Sequence, residues 1–214
     1  MEVFKKCGNG VFYFLAFGVS LYAILFVAVD SIGSQYLKEK FSLTPIAMYL
    51  HMIGGAIALT VGAFQLNSRM RDNRLNLHRL LGKVYVIAVI FSGFAGLYLA
   101  TNSMGGVVAH FGFGTMAVLW VFTVSMAFVQ IKKGNVIAHR AWMIINYSLT
   151  CSAITLRLYL PSFPWIFNVD FMTSYTVISW VAWVPNLLVA QLYLIKTRGL
   201  NHANQGIIDQ AIKN

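Results

Sequence analysis

Long uncharged stretches dominate this chain of 214 residues. Residues 7–29, 41–68 and 171–195 contain no charged side chain, and neither does the longer stretch 84–131. A helix needs about 20 such residues to cross the hydrocarbon core of a bilayer. The three shorter stretches each fit one membrane-spanning helix, and the longest fits two, joined by a turn at residues 101–106. Charged residues make up 10% of the chain, against about 25% in soluble proteins, so the sequence predicts an integral membrane protein.

One further predicted span runs from His139 to Leu160 and is apolar apart from Asn146 and Arg157. Because Arg157 lies within one turn of Pro161, we expect the span to end there and the guanidinium to reach the membrane boundary. The predicted spans are, in chain order, 10–29, 44–66, 78–101, 106–131, 139–160 and 171–195. We therefore predict an all-α fold, an integral membrane bundle of six transmembrane helices.

Basic residues fall unevenly on the two sides of this predicted bundle. Of the 16 lysines and arginines, only Lys38, Lys40 and Arg157 fall on the side opposite the termini. The positive-inside rule then places both termini in the cytoplasm, and we expect one membrane domain, 1–214, in the plasma membrane of a bacterium, with the lipid bilayer as its partner. The same bias explains the net charge of +10. Nucleic-acid binding is not expected, because no basic cluster is interleaved with aromatic residues.

Four histidines lie in the predicted spans or at their edges, at two levels. His51 and His110 lie roughly 6–10 Å below the outer boundary, at 1.5 Å per residue, and His78 and His139 lie at the cytoplasmic boundary. His78 and His139 are each followed by an arginine, so the pattern repeats as two helical hairpins over residues 44–161. Such a repeat would set span 2 opposite span 4, and span 3 opposite span 5. We predict a four-helix core that bears these histidines, with spans 1 and 6 at its periphery.

The predicted helix faces that carry these histidines are rich in small residues, which leaves space between helices. The glycines on these faces are Gly54, Gly55, Gly62, Gly82, Gly93, Gly96 and Gly114. Small residues also serve simply to let membrane helices pack closely. With a histidine at the matching level on the partner helix, the space suits haem b. One or two haems would have His51 with His110, and His78 with His139, as axial iron ligands. No catalytic acid or base is predicted.

Basic residues at the same two levels are candidates for binding the haem propionates. Arg157 lies at the outer level, and Arg79, Lys83 and Arg140 lie at the inner level, where guanidinium and ammonium groups would pair with carboxylates. For the inner three, contact with lipid headgroups explains their position equally well. His78 and His139 are likewise explained by the membrane edge, where they accompany this basic cluster.

Residues 48–161 resemble the bacterial membrane proteins of domain-of-unknown-function family 2306. The resemblance rests on His51-Met52-Ile53-Gly54-Gly55, on the segment 77–85 around His78-Arg79, and on 139–143 together with Thr155-Leu156-Arg157. The histidine arrangement is also similar to that of the cytochrome b561 family, six-span proteins with two b-type haems. That resemblance implies electron transfer from a cytoplasmic donor, a quinol or a small reductant such as ascorbate, to an acceptor on the far side.

Three functions remain open at the level of sequence. The leading hypothesis is a di-haem b-type cytochrome, a transmembrane electron-transfer oxidoreductase. The first alternative is a membrane protein without haem whose histidines and arginines line a cavity that binds or transports a small anionic solute. The second is an assembly factor for another membrane complex, in which the histidines form hydrogen bonds between helices.

Overall fold

The computed structural model describes residues 2–29, 38–39, 42–66 and 68–197, and these residues form an all-helical chain. The C-terminal tail 198–214, which the sequence places in the cytoplasm, lies outside the described residues. The helices are α1 (Glu2–Ala28), α2 (Pro45–Gln65), α3 (Ser68–Asn73), α4 (Leu75–Ala100), α5 (Gly106–Lys132), α6 (Val136–Thr150), α7 (Ser152–Phe167), α8 (Phe171–Val181) and α9 (184–197).

Five segments of the described chain are long and apolar enough to cross a membrane. They are Gly10–Ala28, Pro45–Gln65, Leu75–Ala100, Gly106–Lys132 and Phe171–Thr197. Each agrees with one of the predicted spans to within a few residues. The short helix α3 was not predicted. The fifth predicted span in chain order, 139–160, corresponds instead to two shorter helices, α6 and α7.

The boundary between α6 and α7 is a local disturbance at Cys151. Cys151 keeps a helical conformation, with φ −65° and ψ −13°, and its N–H donates to the Tyr147 carbonyl at 2.9 Å. The Ser152 hydroxyl donates to the Leu149 carbonyl at 2.5 Å, and the Thr150 hydroxyl donates to the Asn146 carbonyl at 3.2 Å. Hydroxyls that bond back to the preceding turn bend helices and weaken their regularity. Despite this disturbance the two helices are nearly continuous, because Cys151 keeps its helical conformation and its hydrogen bond to the Tyr147 carbonyl.

Helix α7 also extends further than the sequence suggested. The predicted end at residue 160 is wrong, because α7 continues through Pro161 and Pro164 to Phe167. The chain then turns at Asn168, a residue with φ +50°, and the Asp170 side chain caps α8 by accepting from the Thr173 N–H at 2.9 Å. Arg157 consequently lies in the middle of a helix rather than at its end.

Tight turns define two ends of the bundle. Helices α4 and α5 are joined at the Ser103 end by a turn that needs glycine at positions 105 and 106, where φ is +84° and +67°. Helices α5 and α6 are joined at the Gly134 end, where φ is +75° and the Asn135 side chain caps α6. Because each turn is short, α4, α5 and α6 are antiparallel neighbours.

Small and aromatic side chains from most of the helices form the core. Helix α4 packs against both α2 and α5, α5 packs against α6, and α1 packs against α2. Ala16, Leu59, Tyr85, Val124 and Leu149 are among the fully buried side chains. Large apolar side chains cover the outside of the bundle, as expected for helices that face lipid tails.

A polar network is buried where α4, α5 and α6 meet. The Tyr85 hydroxyl donates to Asn146 Oδ1 at 2.6 Å, and Asn146 Nδ2 donates to the Trp120 carbonyl at 2.7 Å and to Thr123 Oγ1 at 2.8 Å. Trp120 Nε1 donates to Thr150 Oγ1 at 2.9 Å. Every polar group here has a partner, so the network joins three helices at little desolvation cost.

Candidate ligand-binding cavity

A cavity of about 350 Å³ lies between the helices in the half of the bundle nearer the Ser103 end. It extends from Ser103 and Met104 in the α4–α5 turn to Trp120 and Thr150 of the polar network. Its lining is mostly apolar, and its volume is at the lower end of the range for ligand pockets. A groove of about 440 Å³ beside Gly105 has no ionisable side chain in its lining. The cavity, which His51 and Arg157 line, is therefore the candidate ligand site.

Arg157 of α7 is the one charged side chain among the described residues that line the cavity. Its Nη1 donates to the Ala153 carbonyl at 3.1 Å, and its guanidinium lies 5.5 Å from the ring centroid of Tyr22. Its Nε is buried and has no hydrogen-bond partner within the described chain. Among the described residues the one ion pair joins Arg71 to Asp72 on the surface, so no described carboxylate neutralises Arg157.

The Ser103 hydroxyl is a second buried group that lines the cavity without a partner among the described residues. Its backbone carbonyl, in contrast, accepts a hydrogen bond from His110 Nε2 at 2.9 Å. His110 therefore braces the α4–α5 turn, and it is not among the cavity-lining residues. Of the four buried polar atoms without partners in the described chain, two, Arg157 Nε and Ser103 Oγ, belong to residues that line this cavity.

His51 of α2 lines the cavity and is held against α4. Its Nδ1–H donates to the Ser92 carbonyl at 3.1 Å, and the Ser92 hydroxyl donates to the His51 carbonyl at 2.8 Å. The ring lies over Gly96, where a Cβ would approach Nδ1 to 2.9 Å. Only glycine fits at position 96 for this reason. Because Nδ1 is engaged, Nε2 is the nitrogen left for a ligand.

The glycine faces provide less open space between helices than the sequence suggested, although Gly55, Gly93 and Gly96 do line the cavity. At Gly62 a methyl group would collide with Tyr147 and Tyr85, and at Gly93 it would collide with Val121. At Gly54 it would lie 2.8 Å from Ser92 Cβ. Side chains of the neighbouring helices already fill these positions, so the glycines here permit close packing.

At the Gly134 end, His78 and His139 are close enough for their charges to interact. His139 Nδ1–H donates to the Ala127 carbonyl at 2.8 Å. His78 Nδ1 is buried without a partner among the residues described, and the His78 carbonyl accepts from Gln65 Nε2 at 2.9 Å. The structure thus places His78 and His139 near each other at the Gly134 end.

The basic residues assigned to the inner level lie on the outside of the bundle. Arg79, Lys83 and Arg140 are all exposed, and the described part of the chain offers them no acidic partner. Their position fits contact with anionic headgroups. Of the predicted propionate-binding residues, Arg157 alone lies in a cavity.

Sequence reasoning identified Arg157 and His51 but missed Ser103, Tyr22 and the methionines of the lining. Ser103 belonged to a turn without distinguishing pattern, and Tyr22 lies on α1, which carries no histidine and was set aside as peripheral. The available signal was the unpaired arginine in a membrane span, since such a charge requires partners from neighbouring helices.

Comparison with known proteins gives a family but no characterised relative. The family model DUF2306, described as predicted membrane protein, matches residues 48–194. No curated protein and no solved structure gives a significant match.

Proposed function

The chain belongs to the DUF2306 family of predicted membrane proteins, and we propose that it binds, and is built to carry, a small anionic solute in the cavity that Arg157 lines. A multi-pass membrane protein with an internal cavity is suited to this role, whereas no arrangement of a nucleophile and a base in the described residues suggests a reaction. The solute would enter from the Ser103 end, to which the cavity extends.

The observation that carries this proposal is the guanidinium of Arg157, which has no acidic partner among the described residues. A charge held among apolar side chains is costly unless a charge of opposite sign or a set of hydrogen bonds compensates it. Within the part of the chain that the structure describes, Arg157 contacts one carbonyl and one aromatic ring, and its Nε has no hydrogen-bond partner. An anion in the cavity would satisfy Nε and would balance the charge.

A panel of small anions tests the proposal on purified protein in a nonionic detergent. We expect at least one of acetate, phosphate or a longer carboxylate to raise the unfolding temperature of the wild type, because a ligand that binds the folded state stabilises it. Arg157→Gln should abolish this increase. Arg140→Gln, which removes an exposed arginine, is the matched control and should retain it. Anion effects that are equal in wild type and Arg157→Gln would refute the proposal.

The topology proposed for this function has six crossings. Helices α6 and α7 together cover residues 136–167 with little interruption at Cys151, which is long enough for one crossing. Both termini then lie on one side, which the positive-inside rule assigns to the cytoplasm of a bacterium. Under this topology the two hairpins of residues 44–161 enter the membrane from the Ser103 end.

A b-type cytochrome is the second candidate. Two observations favour it: His51 and His139 each donate from Nδ1 to a backbone carbonyl, the arrangement that orients a histidine for iron ligation through Nε2. The His110 Nε2–H bond to Ser103 and the side chains packed closely against Gly54, Gly62 and Gly93 weigh against a haem between His51 and His110. If that site binds haem, His110 must leave Ser103.

The reduced-minus-oxidised absorbance spectrum of protein expressed with adequate haem distinguishes the two candidates. Sharp b-type bands that are lost in His139→Ala would support a haem at the inner pair, and bands lost in His51→Ala would support one at the outer pair. Folded protein without bands would refute the cytochrome. Haem supplies single-electron transfer when bound, and the protein's own part would be to hold the iron ligands and exclude water.

A further inference from the structure

We propose that the solute is a single-chain carboxylate, an amphiphile with one carboxylate head and one unbranched apolar chain. The head would pair with Arg157, and the chain would lie along the apolar lining toward Trp120. This inference rests on the proposed function, and it names the class of anion that the cavity accepts.

The head is assigned from the free edge of the guanidinium. Nη1 is bonded to the Ala153 carbonyl and Nε has no partner among the described residues, so the edge formed by Nε and Nη2 is the one assigned to the ligand. Two parallel N–H groups match the two oxygens of a planar carboxylate. One arginine balances one negative charge, and a dianion such as phosphate would leave a net charge in an apolar cavity. Ser103 Oγ offers a further donor in the same cavity.

The chain is assigned from the side chains that line the rest of the cavity. Methionines are prominent among them, and the four are Met48, Met52, Met104 and Met116. Methionine is flexible and adapts to apolar groups of variable shape. Leu59, Leu99 and Leu156 add further apolar surface. A hydrophilic anion would leave this surface without a partner, whereas an alkyl chain would bury it.

The size of the cavity limits the ligand to one chain. Its volume of about 350 Å³ lies near the minimum for drug-sized ligands, so a two-chain phospholipid does not fit. The depth agrees with this assignment, because Arg157 is seven residues from Thr150 along the nearly continuous α6–α7, which is about 10 Å at 1.5 Å per residue. The chain would end against Trp120 and Thr150.

The test compares acetate, hexanoate, decanoate, decanol and phosphate as ligands of the full chain in nanodiscs made of uncharged lipid. We expect decanoate to bind most tightly and acetate and phosphate to bind weakly. Decanol, which lacks the carboxylate, should bind wild type and Arg157→Gln with the same affinity. Arg157→Gln should weaken decanoate binding roughly 10- to 100-fold, the value of a charge-assisted hydrogen bond. Arg157→Lys should weaken it by less, since the charge remains but the fork is lost.

Quenching of Trp120 locates the chain. A carboxylate with bromine on its terminal carbon should quench the fluorescence of the wild type, and Trp120→Phe should lose most of this saturable quenching. Trp165→Phe removes an exposed tryptophan and is the control for ligand dissolved in the lipid. Ser103→Ala, a milder change than those at Arg157, should weaken decanoate binding severalfold and keeps the test valid if Arg157 variants do not fold.

The outcomes separate the inference from the proposed function. If acetate or phosphate binds as tightly as decanoate, and this binding requires Arg157, the anion site stands and the single-chain carboxylate is refuted. If phosphatidylserine in the nanodiscs occupies the Arg157 site and prevents decanoate from binding, the ligand is a lipid headgroup and the inference fails. If no anion depends on Arg157, both the proposed function and this inference fail.

Discussion

Gly62 shows how closely α2, α4 and α6 approach one another at the level of a single residue. It is buried, and a Cβ built on it would overlap the ring of Tyr147 and lie 2.9 Å from the ring of Tyr85. Both rings are fixed by hydrogen bonds, Tyr147 to the Leu59 carbonyl and Tyr85 to Asn146. The neighbours therefore cannot easily move aside for a methyl group.

Gly62→Ala should lower the free energy of unfolding by about 1–3 kcal/mol, because it overpacks a rigid site. Gly82→Ala is the matched control on α4, where the nearest atom to a new Cβ is Gln65 Nε2 at 4.0 Å. That change should leave stability equal or raise it by up to about 1 kcal/mol, since alanine favours helix. Denaturation in mixed detergent measures both. Equal effects of the two substitutions would contradict the packing described for Gly62.

Asn146 provides a second prediction at this scale, because it joins Tyr85 to Trp120 and Thr123 inside the bundle. Asn146→Leu should destabilise the protein by about 1–3 kcal/mol, since it leaves buried polar groups unpaired. A double-mutant cycle with Tyr85→Phe should give a coupling energy of about 0.5–2 kcal/mol. Additive effects would show that the Tyr85–Asn146 bond contributes little to stability.

At the scale of elements, the charge pattern predicted the spans well because few residues interrupt the apolar stretches. The disturbance at Cys151 escaped prediction, since it depends on which carbonyls the hydroxyls of Thr150, Ser152 and Thr155 reach. The end of α7 was placed wrongly because Pro161 suggests a stop. A proline is tolerated in a membrane helix when other groups satisfy the carbonyls that it frees, and here the helix continues to Phe167.

The cap of α8 is a local feature with a pH-dependent contribution. Hydrogen bonds from the Thr173 hydroxyl and N–H hold the pKa of Asp170 below its usual range. A carboxylate with a lowered pKa stabilises the folded state above its unfolded pKa, and this contribution is lost as the pH falls through the lowered value. Asp170→Ala should therefore lower the unfolding temperature at neutral pH, and the difference from wild type should shrink in acid.

Asp72→Ala is the control for this substitution, because Asp72 pairs with Arg71 on the exposed surface of α3, where ion pairs contribute little. Its effect on the unfolding temperature should be small at every pH. A difference between Asp170→Ala and wild type that does not change with pH would contradict the capping role of the carboxylate.

At the scale of the whole molecule, the proposed six crossings can be tested by chemical labelling. In a chain without its native cysteines, Asn102→Cys and Val169→Cys should react with an impermeant maleimide from one side of the membrane, and Lys133→Cys from the other. The reason is that α6 and α7 together return the chain to the Ser103 end. Reaction of positions 133 and 169 from the same side would show that α6–α7 does not cross.

The candidate site was less predictable than the topology, for a reason that applies to the whole bundle. A sequence indicates which residues share a face of one helix, as it did for His51 and Gly55, but not what the neighbouring helix presents to that face. His110 was expected to lie opposite His51 as an iron ligand, and in the structure its Nε2 donates to the Ser103 carbonyl. Gly93 and Gly96 were expected to leave space, and they do line the cavity, but Val121 and His51 pack closely against them.

The buried network of Tyr85, Asn146 and Trp120 has an electrical consequence. Trp120 and Thr150 of this network line the cavity on its side toward the Gly134 end, and we expect the network to close the cavity there. The membrane potential then falls partly across this closed half, and an anion that reaches Arg157 from the Ser103 end crosses only the remaining part of the field. Its affinity should therefore vary with voltage by less than the roughly 2.3 kcal/mol per 100 mV of a full crossing.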